Sequence, residues 1–280
     1  IVSFIMENTK DYFEVLDVEI EAPWKEDYGD VDFLYLNKGC IRWKELKNII
    51  PYTKIVRSGC ITSILFENKY HIDFQKSNMI DYHKWLNSYG GIHNIIGSSL
   101  KKINMKLSTD GIYYQTGMIK IHLSSDIYKI TQFLNLDYNR FLEGFATRDG
   151  LFDYIMACPI INISSANKKM KRNFRRPIFL DFFQYIDSRK IIFKPKSYNP
   201  EEIVDFFDKT SQYLFNLKTI KEVNLMKKFF NGNYISKKTQ KSGPELGLFM
   251  KKLREHPNHK EIFLTQNQDL IDNHILLNLK

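Results

Sequence analysis

Two short runs in which acids alternate with apolar residues constrain this chain more than any other feature. Tyr28-Gly29-Asp30 leads into Val31-Asp32-Phe33-Leu34-Tyr35-Leu36, and Tyr70-His71-Ile72-Asp73-Phe74 follows about 40 residues later. Alternation of period two belongs to a strand, where residues i and i+2 project to the same face. Asp30 and Asp32 therefore point together. Two carboxylates side by side in an apolar strand repel each other and are costly to desolvate unless a cation neutralises them. A hard, oxygen-seeking ion such as Mg²⁺ does that, and Asp73 from a neighbouring strand would complete a two-metal set. The plainer alternative is that one or more of these acids sits at a strand end in water.

Size and charge narrow the classes. A chain of 280 residues suits one large domain or two ordinary ones, and 43% hydrophobic with 14% aromatic residues is enough for a real core. The net charge of +9, from 41 Lys and Arg against 32 Asp and Glu, favours a polyanionic partner, with nucleic acid first among them. Lysine is also abundant in proteins from AT-rich genomes, so charge alone carries little. Cys40, Cys60 and Cys158 lie far apart with no Cys-x-x-Cys pair, which speaks against zinc and fits a reducing compartment. No apolar stretch approaches the roughly 20 residues that span a bilayer, and no signal-peptide pattern is visible. The expectation is a cytoplasmic protein with no membrane partner.

Along the chain, residues 1–125 read as an α/β head. A strand over 12–20 precedes the loop Ala22-Pro23-Trp24-Lys25-Glu26-Asp27, and the Asp30/Asp32 strand follows. A short helix over 43–50 ends at Pro51. Strands over 60–66 and 70–75 form a hairpin across Glu67-Asn68-Lys69. Helices over 79–88 and 92–104 are divided by Gly90-Gly91, and a second hairpin over 112–124 turns at Thr116-Gly117. From 126 to 280 the pattern is helical. Thr147 is an N-cap, Pro177 opens a helix, and Asn199-Pro200-Glu201-Glu202 opens a long one running to Phe230. Asn231-Gly232-Asn233 stops it, and further helices cover 244–255 and 260–275.

A Gly-Asp-x-Asp strand followed by an Asp on a hairpin strand resembles the nucleotidyltransferase superfamily related to DNA polymerase β. A small head followed by helices is similar to tRNA nucleotidyltransferases and poly(A) polymerases. Ser242-Gly243-Pro244-Glu245-Leu246-Gly247 resembles a helix start in CCA-adding enzymes. The segments from Leu136 to Ile155 and Arg175-Arg176-Pro177 look like nucleotidyltransferases of large phages and giant viruses. The head resemblance covers about residues 12–75. It implies an α+β fold, a nucleotidyltransferase-like mixed-sheet head followed by a helical, RNA-binding C-terminal part. It implies that Asp30 and Asp32 hold Mg²⁺ or Mn²⁺ bridging the phosphates of an NTP, and that Asp73 joins one ion and helps activate the attacking 3′-hydroxyl. It also extends the cytoplasmic expectation to a viral host's cytoplasm or to packaging in a virion. One departure stands out. The superfamily carries Gly-Ser about ten residues before the first Asp, where this chain has Glu21-Ala22-Pro23-Trp24. Either the phosphates are held otherwise, with Lys25 and Gly29 the nearest candidates, or the chain keeps the fold without catalysis.

Other signals weigh less. Lys168, Lys169, Lys171, Arg172, Arg175 and Arg176 surround Phe174 and suit a phosphate backbone with one stacked base; a solvated loop is the plain reading. His256 and His259 have a metal-ligand spacing, but Pro257 between them makes solvent-facing loop residues the better expectation. His71 either orients Asp73 or is a half-buried strand residue. Gly90-Gly91 reads as helix punctuation. The first reading is a template-independent nucleotidyltransferase adding nucleotides from an NTP to RNA or another hydroxyl acceptor. Its rivals are a non-catalytic nucleic-acid-binding or structural protein on the same fold, and a toxin-like or small-molecule transferase.

Overall fold

The computed structural model describes residues 1–26, 29–37, 41, 43–162 and 177–279. Of the chain, 51% is helical and 19% is strand, with sheets in the N-terminal part and helices in the C-terminal part, an α+β arrangement. The head runs α1 (Val2–Thr9), β1 (Phe13–Val18), β2 (Asp30–Asn37), α2 (Trp43–Leu46), β3 (Tyr52–Ser58), β4 (Ile61–Phe66), β5 (Tyr70–Lys76), α3 (Ile80–Gly91) and α4 (His93–Leu100). Then come β6 (Met105–Ser108), β7 (Gly111–Thr116), β8 (Ile119–Ser124), α5 (Ile127–Phe133), α6 (Tyr138–Glu143), α7 (Arg148–Met156), α8 (Pro177–Ser188) and α9 (Pro200–Phe206). The remainder is α10 (Thr210–Phe229), α11 (Gly232–Thr239), α12 (Gly243–Glu255), α13 (His259–Leu264) and α14 (Gln268–Leu277).

The chain divides into two compact units, Ile1–Thr116 with Lys120–Lys209, and Gly117–Ile119 with Thr210–Lys280. In the first, a mixed five-stranded sheet has the order β1-β2-β5-β4-β3. β2 and β5 are parallel; the other neighbours are antiparallel. The β4–β5 hairpin turns through Glu67 and Asn68, both at positive φ, closed by Lys69 N–H donating to the Phe66 carbonyl. One sheet face carries the core: Phe33 and Tyr35 of β2 and Ile72 and Phe74 of β5 pack with Phe13, Trp43, Leu46 and Ile64. Phe33 and Phe74 stack at 5.3 Å, and each such side chain contributes about 1.5–3 kcal/mol when fully buried. Period two then sends Asp30, Asp32, Asp73 and Gln75 to the opposite face.

Several caps follow the sequence. Thr147 accepts from Gly150 N–H, and Asn199 with Glu202 forms a complete capping box. The single helix expected over 200–230 is two. α9 ends with Asp208 at φ 58 and Lys209 N–H returning to the Val204 carbonyl, the 6→1 closure of a Schellman turn. Phe207 is buried at that corner against Phe133. Asn231, expected to stop a helix, also starts one, accepting from Tyr234 N–H at the head of α11. The helix expected over 260–275 is likewise divided: Gln266 has φ 59 and Asn267 caps α14. The second unit has its own core of Phe229, Ile235, Phe249, Leu253, Phe263, Ile271 and Ile275.

Candidate active site

Parallel pairing of β2 with β5 sets the register Asp30↔His71 and Asp32↔Asp73. Asp32 and Asp73 therefore stand opposite each other on the face away from the core, and Asp30 is two residues along. One carboxylate oxygen from each of the three lies within 4.8 Å of the others. Asp30 is exposed and the other two are half-buried. This crowding has an electrostatic cost. Burial, then the charges of Asp30 and Asp73, push the Asp32 carboxyl up to about 7, against a smaller opposing pull from Lys25.

A fourth acid belongs to the same face. Glu19 follows β1, and its N–H donates to the Asp32 carbonyl at 3.1 Å. Burial, then Asp32, raise its carboxyl to about 8, although the Asn87 side chain donates to it at 2.7 Å. Asn87 on α3 also donates to Gln75 at 3.3 Å, so α3 lies over the inner part of this face. Sequence reading passed over both residues. The Asp17/Glu19 alternation at the end of β1 and just beyond it carries the signal that picked out Asp30/Asp32. Asn87 had none, because its partner lies 68 positions away.

The loop after β1 is tied down at the end of α3. Ile20 N–H donates to Ser88 Oγ at 2.8 Å, and Tyr89 N–H to the Ile20 carbonyl at 2.9 Å. Helical geometry ends there: Tyr89, Gly90 and Gly91 have φ 57, 68 and 87. These glycines do punctuate two helices as expected, and they also line a cavity of about 410 Å³ with Glu19, Lys25, Asp30 and Asp32. Lys25 pairs with Glu21 at 3.5 Å and reaches the same space. A side chain at Gly29 would meet nothing within 4 Å among the described residues, so packing does not demand a glycine there. His71 is exposed beside Asp30, not half-buried. The cationic residues Lys168, Lys169, Lys171, Arg172, Arg175 and Arg176 lie outside the described residues.

In the second unit His259 is 4% exposed at the start of α13, against the expectation of a solvent-facing loop. Its ring packs on Phe230 and Phe263 at 4.5 and 4.7 Å, and neither nitrogen has a hydrogen-bond partner. The apolar faces of α10, α13 and α14 need that position filled, and tertiary packing overrode the local turn signal.

No family model matches this chain, and no curated protein matches it. Three clustered carboxylates beside a lysine and a glycine turn can take up hard cations and the phosphates such cations carry.

Proposed function

We propose that this protein is a template-independent nucleotidyltransferase, moving nucleotides from an NTP to RNA or another hydroxyl acceptor. The observation that carries the reading is the parallel β2–β5 pairing, which brings Asp73 opposite Asp32 beside Asp30. The donor set suits Mg²⁺ or Mn²⁺: all ligands are carboxylate oxygens, and the burial and mutual repulsion that raise Asp32 are offset by positive charge. Bound there, such ions neutralise phosphate charge and sharpen a hydroxyl nucleophile.

The chain's own groups divide the remaining work. Asp30 and Asp32 hold the cations; Asp73 shares that task and assists activation of the acceptor hydroxyl. The hydroxyl oxygen attacks the α-phosphorus in line, the bond to the β-phosphate oxygen breaks, and pyrophosphate leaves. Lys25 and the left-handed Gly90-Gly91 turn, followed closely by the N-terminus of α4, line one cavity with Asp30 and Asp32 and support phosphate holding without a Gly-Ser loop. RNA as acceptor is supported by the net charge of +9 and by the cationic run around Phe174.

Incubation with each labelled NTP and a mixed RNA pool, under Mg²⁺ or Mn²⁺, tests this beside an Asp30→Ala/Asp32→Ala control. Label entering RNA only for the wild type is expected. No label under either metal, with salt-sensitive RNA binding that survives the double substitution, would instead leave a nucleic-acid-binding protein on this fold.

A further inference from the structure

A second cavity, of about 480 Å³, opens beside the acid-lined one, and the two share Lys25, Tyr89 and Gly90. Its character is different. No carboxylate of the metal-binding set lines it; its lining residues include Trp24, Tyr89, Arg148 and Asp181. Trp24 and Tyr89 lie parallel, 6.1 Å apart at 11°. The Pro23-Trp24 turn is held by Lys25 N–H donating to the Ala22 carbonyl, and Tyr89 is buried with its backbone N–H on Ile20. The aromatic wall is thus fixed before any ligand arrives. Arg148 at the start of α7 and Asp181 on α8 meet at 2.9 Å, giving one side of the cavity adjoining donors and acceptors.

We infer that this cavity receives the base of the nucleotide whose phosphates occupy the acid-lined cavity, a step that rests on the nucleotidyltransferase reading. A nucleobase matches each feature: it is planar with two apolar faces for Trp24, and its edge carries donors and acceptors side by side for Asp181 and Arg148. The shared Lys25–Gly90 boundary is where a sugar-phosphate joins the two ends. A volume of this size falls within the range of small-molecule sites, while an open acidic cleft alone would give no preference among bases.

The test is equilibrium binding to the full chain with Mg²⁺, using the four NTPs, their nucleosides and inorganic tripolyphosphate as probes. NTPs should bind at least ten-fold tighter than tripolyphosphate. Trp24→Ala should bring that ratio near one while leaving tripolyphosphate affinity within two-fold. Asp181→Asn, which exchanges an acceptor for a donor without shortening the side chain, should change the ranking of the four NTPs by five-fold or more. Triphosphate binding that is equal for all probes and indifferent to Trp24 and Asp181 overturns the base site and leaves the transferase reading standing. Nucleoside binding that is lost in Trp24→Ala but gains nothing from phosphates or metal keeps the pocket and overturns the transferase reading. Binding of none of the probes overturns both. Trp24→Phe, which keeps a stacking ring, should retain most of the NTP preference and separates stacking from a general loss of fold.

Discussion

Asp32 concentrates the electrostatics of the candidate site in one side chain. Its carboxyl is raised to about 7 from the usual range near 4, by burial first and by Asp30 and Asp73 next. A carboxyl raised in the folded state binds its proton more tightly there than in the unfolded chain. Without metal, the folded state therefore loses stability as pH climbs from about 4 to about 7, by an amount on the order of 2 kcal/mol. Asp32→Asn removes the charge and keeps the shape. In EDTA at pH 8 the variant should melt several degrees above the wild type. Millimolar Mg²⁺ should then raise the wild-type melting temperature and leave the variant's unchanged. A wild type that melts at the same temperature as Asp32→Asn in EDTA would remove this account of the cluster. Glu19 is of the same kind, and its Asn87 hydrogen bond offsets only part of its cost.

At the scale of elements, helix ends were readable where a cap lies next to its helix. The Asn199–Glu202 box is complete, with each side chain satisfying the other's backbone N–H at 2.9 Å. Asn199→Ala should cost about 1 kcal/mol, read as a shift in denaturant midpoint at constant slope. Breaks inside apolar runs were not readable. The sequence from Pro200 to Phe230 carries no proline or glycine after its start, yet the chain turns at Asp208. Aspartate tolerates the left-handed region better than most residues, and burial of Phe207 against Phe133 holds the corner. The same limit hid α1, β3, β6 and α11, all eight residues or shorter.

At the scale of the whole molecule, two compact units with separate cores imply unequal sensitivity to pH. Burial, then the neighbouring His274 and Arg254, hold His259 down to about 4, and burial with His256 lowers His274. A histidine lowered in the folded state gives its full stability above the unfolded value near 6.5 and loses it as pH falls toward 4. Between pH 7 and pH 5 the second unit should therefore lose its cooperative melting transition ahead of the first. His259→Phe, which fits the ring contacts with Phe230 and Phe263, should flatten that dependence. A melting profile that is the same at both pH values would contradict this. The +9 charge predicts RNA binding whose logarithm falls with log salt by about 0.7 for each phosphate neutralised. Lys171→Ala/Arg172→Ala should then reduce the slope by about 1.4 on single strands.

The sequence by itself determined the strands that carry Asp30, Asp32 and Asp73, the common face of Asp30 and Asp32, the β4–β5 hairpin, and the helix starts at Thr147 and Asn199. Each depends on a period or cap written within a few neighbouring residues. Only the tertiary structure decided that β2 pairs in parallel with β5, so that Asp73 faces Asp32. It alone brought Glu19, Asn87 and the Gly90-Gly91 turn to one cavity and buried His259 in an aromatic core. Those outcomes join residues tens of positions apart. They are set by which apolar faces can be covered at once, a condition no local window of sequence contains.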